Sequence, residues 1–349
     1  MMSAWVVRGG RAGEHEQWNL VHGRATIGWA PIRDLSLCSS RDDVRALVSS
    51  AYPGNTPVSV GIQTGQLWAF RHSIQPGDLV VMPLKSRQGY VALGRCTGSY
   101  GYDAAADQDR RHFLPVEWQP EPVSKTVLKD DLLATLNGMM TVFAPSRNGA
   151  AARLEHVWAT GIDPGQTDSP AVAPPASPVE ADVVNDPPTV PSLEAIRDRI
   201  RTRIVEDFGG HKLTGLVADI LSALGYGCEV SPPGPDGGID IRAGRGPLGL
   251  DMLTIVEVKS QPSPVDVFVV RGLHSAIGRT GATQGLLVAM GGLNAPARKE
   301  WLDLRSTIQV WDSEVLLETL FETYPRLPEA TRAALPLKQA WVLDDESEG

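Results

Sequence analysis

The hydrophobic positions of the first 162 residues follow the pattern of short strands separated by turns. Apolar runs of a few residues alternate with Gly, Pro and Asn, which is typical of a strand-rich domain. The predicted strands lie at residues 5–7, 25–29, 67–70, 78–82 and 90–94. Two stretches, 41–50 and 129–136, have helical character instead. We therefore predict an α+β domain over residues 1–162.

After residue 192 the periodicity changes to that of a mixed α/β domain. Apolar residues between 213 and 224 recur every three or four positions, which gives a helix with one apolar face that ends at Gly225. Ser192 is a candidate cap for an earlier helix. The predicted helices are 193–208, 213–224, 265–278, 295–304 and 314–322, and the predicted strands are 226–231, 238–243, 252–258, 284–290 and 307–311. We assign residues 192–343 to this second domain.

The segment between the two patterns has the composition of a linker. Residues 163–191 are rich in Pro, Ala and Asp, contain no aromatic residue and show no sustained apolar period. Such a segment buries too little apolar surface to offset the entropy of ordering. We predict that it joins two domains, and that residues 344–349 form an acidic tail.

The overall composition is that of a globular protein, with 42% hydrophobic and 21% charged residues. No run of about 20 apolar residues could span a bilayer. The N-terminus has no basic segment followed by an apolar one, as a secretory leader would. Cys38, Cys96 and Cys228 suit neither a disulfide framework nor a zinc site. We expect a soluble, cytoplasmic protein without a membrane partner.

The formal net charge of −9 argues against a nucleic-acid partner, because domains that bind nucleic acid are usually basic. The charges are unevenly distributed, however. Residues 1–162 hold 16 basic and 14 acidic residues, 163–191 hold 5 acidic and no basic residues, and 192–349 hold 16 basic and 22 acidic residues. Contacts with a polyanion would therefore depend on local basic patches.

One group of charged residues has the chemistry needed for phosphodiester cleavage. Two glycines make a turn before a strand that starts near Asp240. In the strand at 252–258, alternation places Glu257 and Lys259 on one face and Val258 on the opposite, core-facing one. If the two strands are antiparallel neighbours, Asp240 meets Glu257 and Lys259 across the pair.

Hard oxygen ligands of this kind bind magnesium, which activates water and neutralises the charge that develops on a phosphate. The carbonyl of Val258 is a third candidate ligand, and Lys259 could orient the water or stabilise the transition state. The spacing alone favours a second interpretation: an exposed strand whose Glu257 and Lys259 merely face solvent.

The residues around this group resemble a known family in four ordered places. The matching segments are 223–226 (ALGY), 231–241 (SPPGPDGGIDI), 256–260 (VEVKS) and 283–288 (TQGLLV). Over residues 213–343 the chain resembles the Mrr-like branch of the PD-(D/E)xK restriction endonucleases. The resemblance implies a DNA endonuclease that uses Mg²⁺, with Mn²⁺ as an acceptable substitute. It makes Asp240 and Glu257 metal ligands and Lys259 the catalytic lysine; many Mrr-like proteins have Gln where Glu257 stands.

The chain departs from the family in the helix before residue 223. Relatives often carry a Phe-Glu pair where this chain has Leu213 and Thr214, so an additional acid is missing. Asp219 lies about one and a half turns further on and is an uncertain substitute. His211 and Gln284 lie close to family motifs and are auxiliary candidates, although each also fits a purely structural role. The number of metal ions stays open.

The first domain is dense in aromatic residues, and strand-rich domains that recognise flipped, modified bases use an aromatic pocket with a few polar groups. Trp29, Asp34, Trp68 and Phe70 are the candidates for such a pocket. Segments 74–82 and 90–96 resemble the paired barrel strands of the PUA/EVE-like superfamily. The alternative is that these aromatics fill the core of an ordinary small barrel.

The sequence as a whole predicts a type IV-like restriction protein. The first domain would recognise a modified base in double-stranded DNA, and the second, tethered domain would cut at a variable distance. Double-strand cleavage by one site per chain is easiest with two chains, so a homodimer is a plausible assembly, and the sequence leaves the oligomeric state open. Two alternatives stay open: a nuclease gated by a small nucleotide signal in phage defence, and a DNA-binding protein on a nuclease fold that does not cleave.

Overall fold

The computed structural model describes residues 3–138, 140–166, 193–232, 238–246 and 251–340. The chain divides into two compact units, residues 1–205 with 262–264, and residues 206–261 with 265–349. The predicted mixed α/β fold class is confirmed. Ser192, the glycine turn at 236–237, most of the linker and the acidic tail lie outside the described residues. Within the described ranges, no helix is long and apolar enough to cross a membrane.

The first unit is strand-rich, as predicted, with helices on both sides of its sheet. Its strands are β1 (Ala4–Val7), β2 (Arg24–Ile27), β3 (Leu79–Pro83), β4 (Tyr90–Cys96), β5 (Gly101–Tyr102), β6 (His112–Trp118), β7 (Val123–Ser124) and β8 (Val142–Phe143). The sheet order is β2-β6-β4-β3-β1-β8, with β5 paired to β6 and β7 to β4. The β1–β3 pair is parallel, and the other pairs are antiparallel.

The helices of this unit cover the two faces of the sheet. They are α1 (Glu16–His22), α2 (Arg41–Ala51), α3 (Pro57–Trp68), α4 (Asp130–Leu136) and α5 (Ala150–Thr160). Trp5 and Val7 of β1 join a core with α2 and α3, whereas Ala4 and Val6 join a second core with α4 and α5. The alternation of side chains along a strand therefore gives the unit two cores. The hydrophobic pattern predicts α2 and α4 but misses α1, α3 and α5.

Residues 67–70 are helical, which corrects the strand predicted from their apolar run. The first two end α3, and the last two begin a π-helical turn, Ala69–Ser73. Thr56 caps α3 by accepting a hydrogen bond from the N–H of Ser59, and a proline follows the cap. Four apolar residues alone do not distinguish a strand from a buried helix segment. The helix-start signals upstream, Thr56 and Pro57, therefore indicate a helix at this position.

A helix after the predicted linker, α6 (Leu193–Asp207), is held by a cluster of buried charges in the first unit. Lys125 Nζ donates to Glu194 Oε1 at 2.6 Å and to Asp198 Oδ2 at 3.0 Å. Asp198 also pairs with Arg201. Burial raises the pKa of Glu194, but Lys125 and other cations lower it, and the net pKa is below its usual value. The first compact unit extends into α6, as far as residue 205. The domain boundary in the linker stays a prediction.

The end of the first unit is fixed by a second buried ion cluster. Asp163 is the first residue of the predicted linker, and it is only 4% exposed. Arg153 on α5 donates to Asp163 through Nη2 at 2.7 Å and to Asp131 through Nη1 at 2.6 Å. Burial raises the pKa of Asp163, but hydrogen bonds from Arg153 and from the N–H of Lys129 lower it more, so the net pKa is low. The ordered chain therefore continues past residue 162.

The second unit contains a five-stranded sheet between helices. Its elements in chain order are α7 (His211–Ala223), β9 (Gly227–Val230), β10 (Ile241–Arg245), β11 (Asp251–Lys259), α8 (Val267–Thr280), β12 (Gln284–Ala289), α9 (Ala295–Leu304), β13 (Ile308–Trp311), α10 (Ser313–Thr323) and α11 (Glu329–Ala334). The sheet order is β13-β12-β11-β10-β9. All the elements predicted after residue 212 are present, and α11 is additional.

The central strand β11 changes the pairing direction within the sheet. It is antiparallel to β10 and parallel to β12. One face carries Ile255 and Leu287, which pack in a core with α8 and α9. On the other face, Ile241 and Ala243 of β10 are completely buried, and β9 and β10 contact α7. Apolar residues thus lie on both faces of the sheet, and not only on the face of Val258 as the alternation suggested.

Replacement of Arg153 by Met should strongly destabilise the first unit. The substitution keeps apolar contacts but leaves the Asp163 carboxylate buried without its ion pair, which costs about 3–5 kcal/mol. Because the folded pKa of Asp163 is lowered, its stabilising contribution is present at neutral pH and is lost as the pH falls through the folded pKa. Denaturant unfolding should therefore show a lower unfolding free energy for the variant than for the wild type at pH 7. This difference should be smaller below about pH 4.

The matched control for this substitution is Arg33→Met, at an exposed position. A surface change of this kind should alter the unfolding free energy by less than about 0.5 kcal/mol. Equal midpoints for the two variants would contradict the assigned role of Arg153.

Candidate active site

The register of β10 on β11 brings Asp240 to the level of Glu257. Ile241 pairs with Val256. The N–H of Asp240 also donates to the carbonyl of Val256, at 2.8 Å, so the pairing slips by one residue where β10 begins. The Asp240 carboxylate accepts from the N–H of Val258 and therefore lies beside the part of β11 that carries Glu257.

Where backbone pairing between β10 and β11 ends, the side chain of Asp240 makes a further hydrogen bond to β11. Its Oδ2 accepts a hydrogen bond from the N–H of Val258 at 2.7 Å. The N–H and C=O of one strand residue point to the same side of the strand. The carbonyl of Val258 therefore faces the side on which Asp240 lies, beyond the last backbone pair.

Lys259 and Glu257 form an ion pair on this face. Lys259 Nζ lies 2.9 Å from Glu257 Oε1. Glu257 is 7% exposed, whereas about a third of the Lys259 side chain is exposed, at 32%. The ammonium group offsets the cost of holding the Glu257 carboxylate away from water. Of the two interpretations of the strand, the structure favours a convergent cluster over a pair that merely faces solvent.

Gly238 lets the chain enter this site. Its φ is +85°, in the left-handed region that favours glycine. A Cβ added there would lie 3.8 Å from the Glu257 carboxyl, which is an ordinary contact. The backbone angle, and not a lack of space, therefore requires glycine at this position.

The donor set fits a hard divalent cation. Among the described residues, Asp240 Oδ1 accepts no hydrogen bond, and Glu257 contributes a second carboxylate. No group of three or more His, Cys, Asp or Glu side chains that could hold a metal occurs in the described ranges. A metal at this site would therefore depend on two carboxylates, the Val258 carbonyl and water, which is the oxygen-rich set that Mg²⁺ binds.

His211 lies at the start of α7, near the end of β11. The N–H of Gly210 donates to Ser260 Oγ at 3.1 Å, so the helix terminus contacts the residue that follows Lys259. His211 is exposed there. Thr214, at the position of the missing acid, is buried in the same helix. The contact through Ser260 was not apparent from the sequence, because it joins segments 50 residues apart.

Asp219 and Gln284 are engaged away from the cluster. Asp219 accepts a hydrogen bond from Thr331 of α11. Gln284 Nε2 donates to Thr254 Oγ1 at 2.9 Å. Thr254 lies three residues before Glu257 on β11, which places it on the opposite face and about 10 Å along the strand. The structure thus brings Asp240, Val258, Glu257 and Lys259 together, without these two auxiliary candidates.

The aromatic candidates of the first unit surround one core. Phe70 is completely buried and packs edge-on against Tyr100, with ring centroids 6.2 Å apart. Trp29 and Trp68 are partly buried against the same core. Trp29 has a φ of +41°, which is unusual for a bulky residue. The two tryptophans therefore line the outside of this core, and Phe70 supports them from within.

A polar network that the sequence did not indicate holds the loop between Trp29 and Asp34. His112 Nε2 donates to the carbonyl of Ile32 at 3.2 Å, so its Nδ1 accepts from the hydroxyl of Tyr100 at 2.8 Å. Burial lowers the pKa of His112, which favours this neutral ring. Asp34 caps the next turn by accepting from the N–H of Ser36 at 2.8 Å. The loop that carries Trp29 and Asp34 is therefore fixed to β6.

Residues 205–320 match the model of the Mrr family, which is described as restriction endonuclease. The match includes every residue of the Asp240 cluster. Residues 205–320 are a restriction endonuclease domain. Residues 5–142 match a domain of unknown function, so the PUA/EVE-like assignment stays a prediction.

Solved structures resemble the chain only distantly. The DNA modification-dependent restriction endonuclease AspBHI is 16% identical, with a TM-score of 0.32, over 81% of this chain and 74% of that one. The MspJI restriction endonuclease in complex with a 27-mer oligonucleotide is 14% identical, with a TM-score of 0.32, over 95% and 79%. A protein of unknown function is 19% identical, with a TM-score of 0.26, over 35% and 77%. No curated protein matches the chain.

In the restriction endonuclease domain, Asp240→Ala should open the end of the β10–β11 ladder, whereas Asp240→Asn should keep it closed. Asparagine retains a side-chain oxygen that accepts from the Val258 N–H, and alanine does not. Loss of a hydrogen bond to a charged group costs about 1.5–3 kcal/mol, so the Val258 amide should exchange at least roughly tenfold faster. Hydrogen exchange followed by NMR measures this rate. Unchanged protection of that amide in the alanine variant would show that the contact does not hold the strand.

Proposed function

We propose that this protein is a magnesium-dependent endonuclease that cuts double-stranded DNA carrying a modified base. The observation that supports cleavage is the hydrogen bond that holds the Asp240 carboxylate at Val258, next to Glu257, with Lys259 two residues beyond Glu257 on β11. A bound Mg²⁺ would supply Lewis-acid activation of water and neutralise charge on the phosphate. Mn²⁺ is an acceptable substitute, since it takes the same ligands.

The residues of the cluster have separate tasks in this proposal. Asp240, Glu257 and the Val258 carbonyl would hold the ion. Lys259 would donate to a phosphate oxygen or orient the attacking water. The hydrogen bond from the Val258 N–H to Asp240 keeps the carboxylate in place before substrate arrives. The domain therefore holds its charged groups ready for an in-line attack.

Base recognition is proposed for the first unit, at Trp29, Trp68 and Asp34. A flipped base is held by stacking on aromatic rings and by a few polar groups. The two tryptophans are half-exposed around one core, and the positive φ of Trp29 is the kind of local strain that functional sites hold. We also propose that residues 163–191 tether the units, and that two chains act together on the two DNA strands.

The test of cleavage uses methylated, hydroxymethylated and unmodified forms of one plasmid with Mg²⁺. The wild-type protein should cut the modified forms in preference. Asp240→Ala should reduce the rate to background, and Lys259→Ala should reduce it by roughly 10²- to 10³-fold, as expected for loss of a transition-state donor. Asp303→Ala, an exposed acid on α9, is the matched control and should cut at the wild-type rate.

Each failure in this experiment has a separate meaning. Binding of DNA without cleavage by the wild type would favour a non-cleaving DNA-binding protein. Cleavage of unmodified DNA only after addition of cyclic nucleotides would favour a nuclease gated by a nucleotide signal. Equal cleavage by wild type and Asp240→Ala would remove the proposed site.

Recognition is tested separately by Trp29→Ala and Trp68→Ala. Loss of base stacking costs about 1–3 kcal/mol, so the preference for modified over unmodified plasmid should fall by roughly tenfold or more. The rate on unmodified DNA should stay the same. The measurement is the ratio of kcat/KM for the two plasmids at one salt concentration.

Trp158→Ala is the matched control for the tryptophan variants. This residue is also half-buried, but it packs against the core on the opposite face of the sheet. Trp158→Ala should lower the stability by a similar amount and leave the preference for modified plasmid unchanged. An equal loss of preference in all three variants would contradict a pocket at Trp29 and Trp68.

A further inference from the structure

The face of the sheet that carries the catalytic cluster is covered on one side and open on the other. The helices α8 and α9 pack over β11, β12 and β13 through a core that includes Ile255 and Leu287. On β10 the burial alternates, with Ile241 and Ala243 completely buried and Arg242 between them exposed. The buried pair faces α7, so Arg242 projects from the other face. This open part of the sheet begins directly beside Asp240.

Arg242 shares this face with the cluster. It pairs in register with Ile255, which lies two residues before Glu257, so Arg242 and Glu257 project from the same face. It is also two residues from Asp240 in the chain, a distance of at most about 7 Å. A cation at this distance does not replace Lys259 at the reacting phosphate. It lies next to the cluster, in the direction in which a bound DNA strand would extend.

The surroundings of Arg242 do not neutralise it. Among the described residues its side chain makes no hydrogen bond or ion pair. Glu229 is opposite it on β9 and is also exposed, but the two groups do not form a salt bridge. A guanidinium with free donors is suited to bidentate contact with phosphate. On a chain with a net charge of −9, such a local cation determines where a polyanion can approach.

We propose that Arg242 is a positioning residue that binds a backbone phosphate of the substrate DNA next to the scissile one. The proposal rests on the proposed nuclease function and adds the direction of the bound strand, from the Asp240–Glu257 pair out over β10 and β9. Phosphates of one strand rise by about 3.4 Å per nucleotide along the duplex axis. An arginine rooted at most about 7 Å from Asp240 therefore reaches a phosphate one or two nucleotides from the cut.

The contact between Arg242 and the phosphate is present in both the ground state and the transition state. This determines which kinetic constant changes when the contact is lost. Arg242→Gln should raise KM and leave kcat nearly unchanged. At 50 mM KCl the loss in kcat/KM should be roughly tenfold, as for a lost hydrogen bond to a charged group. One phosphate contact also contributes about 0.9 to the slope of the log–log salt dependence, so the deficit should shrink about three- to fourfold by about 200 mM KCl.

The experiment measures kcat/KM for plasmid cleavage by the full chain over this range of KCl. Arg242→Lys should restore most of the salt slope, because it keeps the charge. Arg305→Gln is the matched control, since Arg305 is exposed where α9 ends and β13 is about to begin. That end of the parallel strands is opposite the end with Glu257 and Lys259. The control should have the wild-type slope.

Three outcomes would overturn the proposal. If the wild type cuts DNA and Arg242→Gln has the salt slope of Arg305→Gln, the arginine does not contact phosphate, and a role limited to its strand partner Glu229 would explain any change in stability. A fall in kcat alone, with KM and salt slope unchanged, would likewise exclude phosphate binding. A wild-type protein that cuts no DNA would refute the nuclease proposal and this inference with it, and the two failures are therefore distinguishable.

Discussion

The proposed catalytic cluster depends on the hydrogen bond between the Asp240 carboxylate and the N–H of Val258. This bond forms where backbone pairing between β10 and β11 stops, so the side chain of Asp240 adds one more hydrogen bond between the two strands. It fixes the Asp240 carboxylate beside Glu257 and Val258 of β11, on the side of the strand to which the Val258 carbonyl points. A different pairing of β10 with β11 would separate Asp240 from these two residues. The geometry of the site is therefore a consequence of register.

The position of β11 in the sheet explains why this site can combine burial with access. On one side β11 runs parallel to β12 and is covered by α8, and on the other side it runs antiparallel to β10, whose Arg242 is exposed. Glu257 lies at the border between the two. Its carboxylate is largely removed from water and paired with Lys259, which strengthens electrostatic interactions there. In the proposed mode of binding, the substrate approaches over β10 and β9.

The first unit shows how buried charges can organise a fold in place of apolar contacts. Arg153 ties Asp163 and Asp131 together at the end of the unit, and Lys125 holds Glu194 and Asp198 of α6. Neither cluster is visible in the sequence, since their members are spread over tens of residues and resemble ordinary surface charges. The composition of 163–191 predicted a linker, yet its first residue is buried because a distant arginine pairs with it. Similarly, the apolar run at 67–70 is helical because of a cap upstream of it.

The sequence by itself determined the elements of the second unit and the candidates for its chemistry. Periodicity separates helices from strands when segments are long, and the Asp240, Glu257 and Lys259 positions follow from strand alternation together with the family resemblance. Only the tertiary structure decided that β10 and β11 are in the required register, that Asp219 and Gln284 contact residues away from the site, and that Phe70 supports the two tryptophans from inside the core. The physical reason is that alternation and periodicity are local, whereas register, ion pairing and the covering of a sheet face depend on segments far apart in the chain.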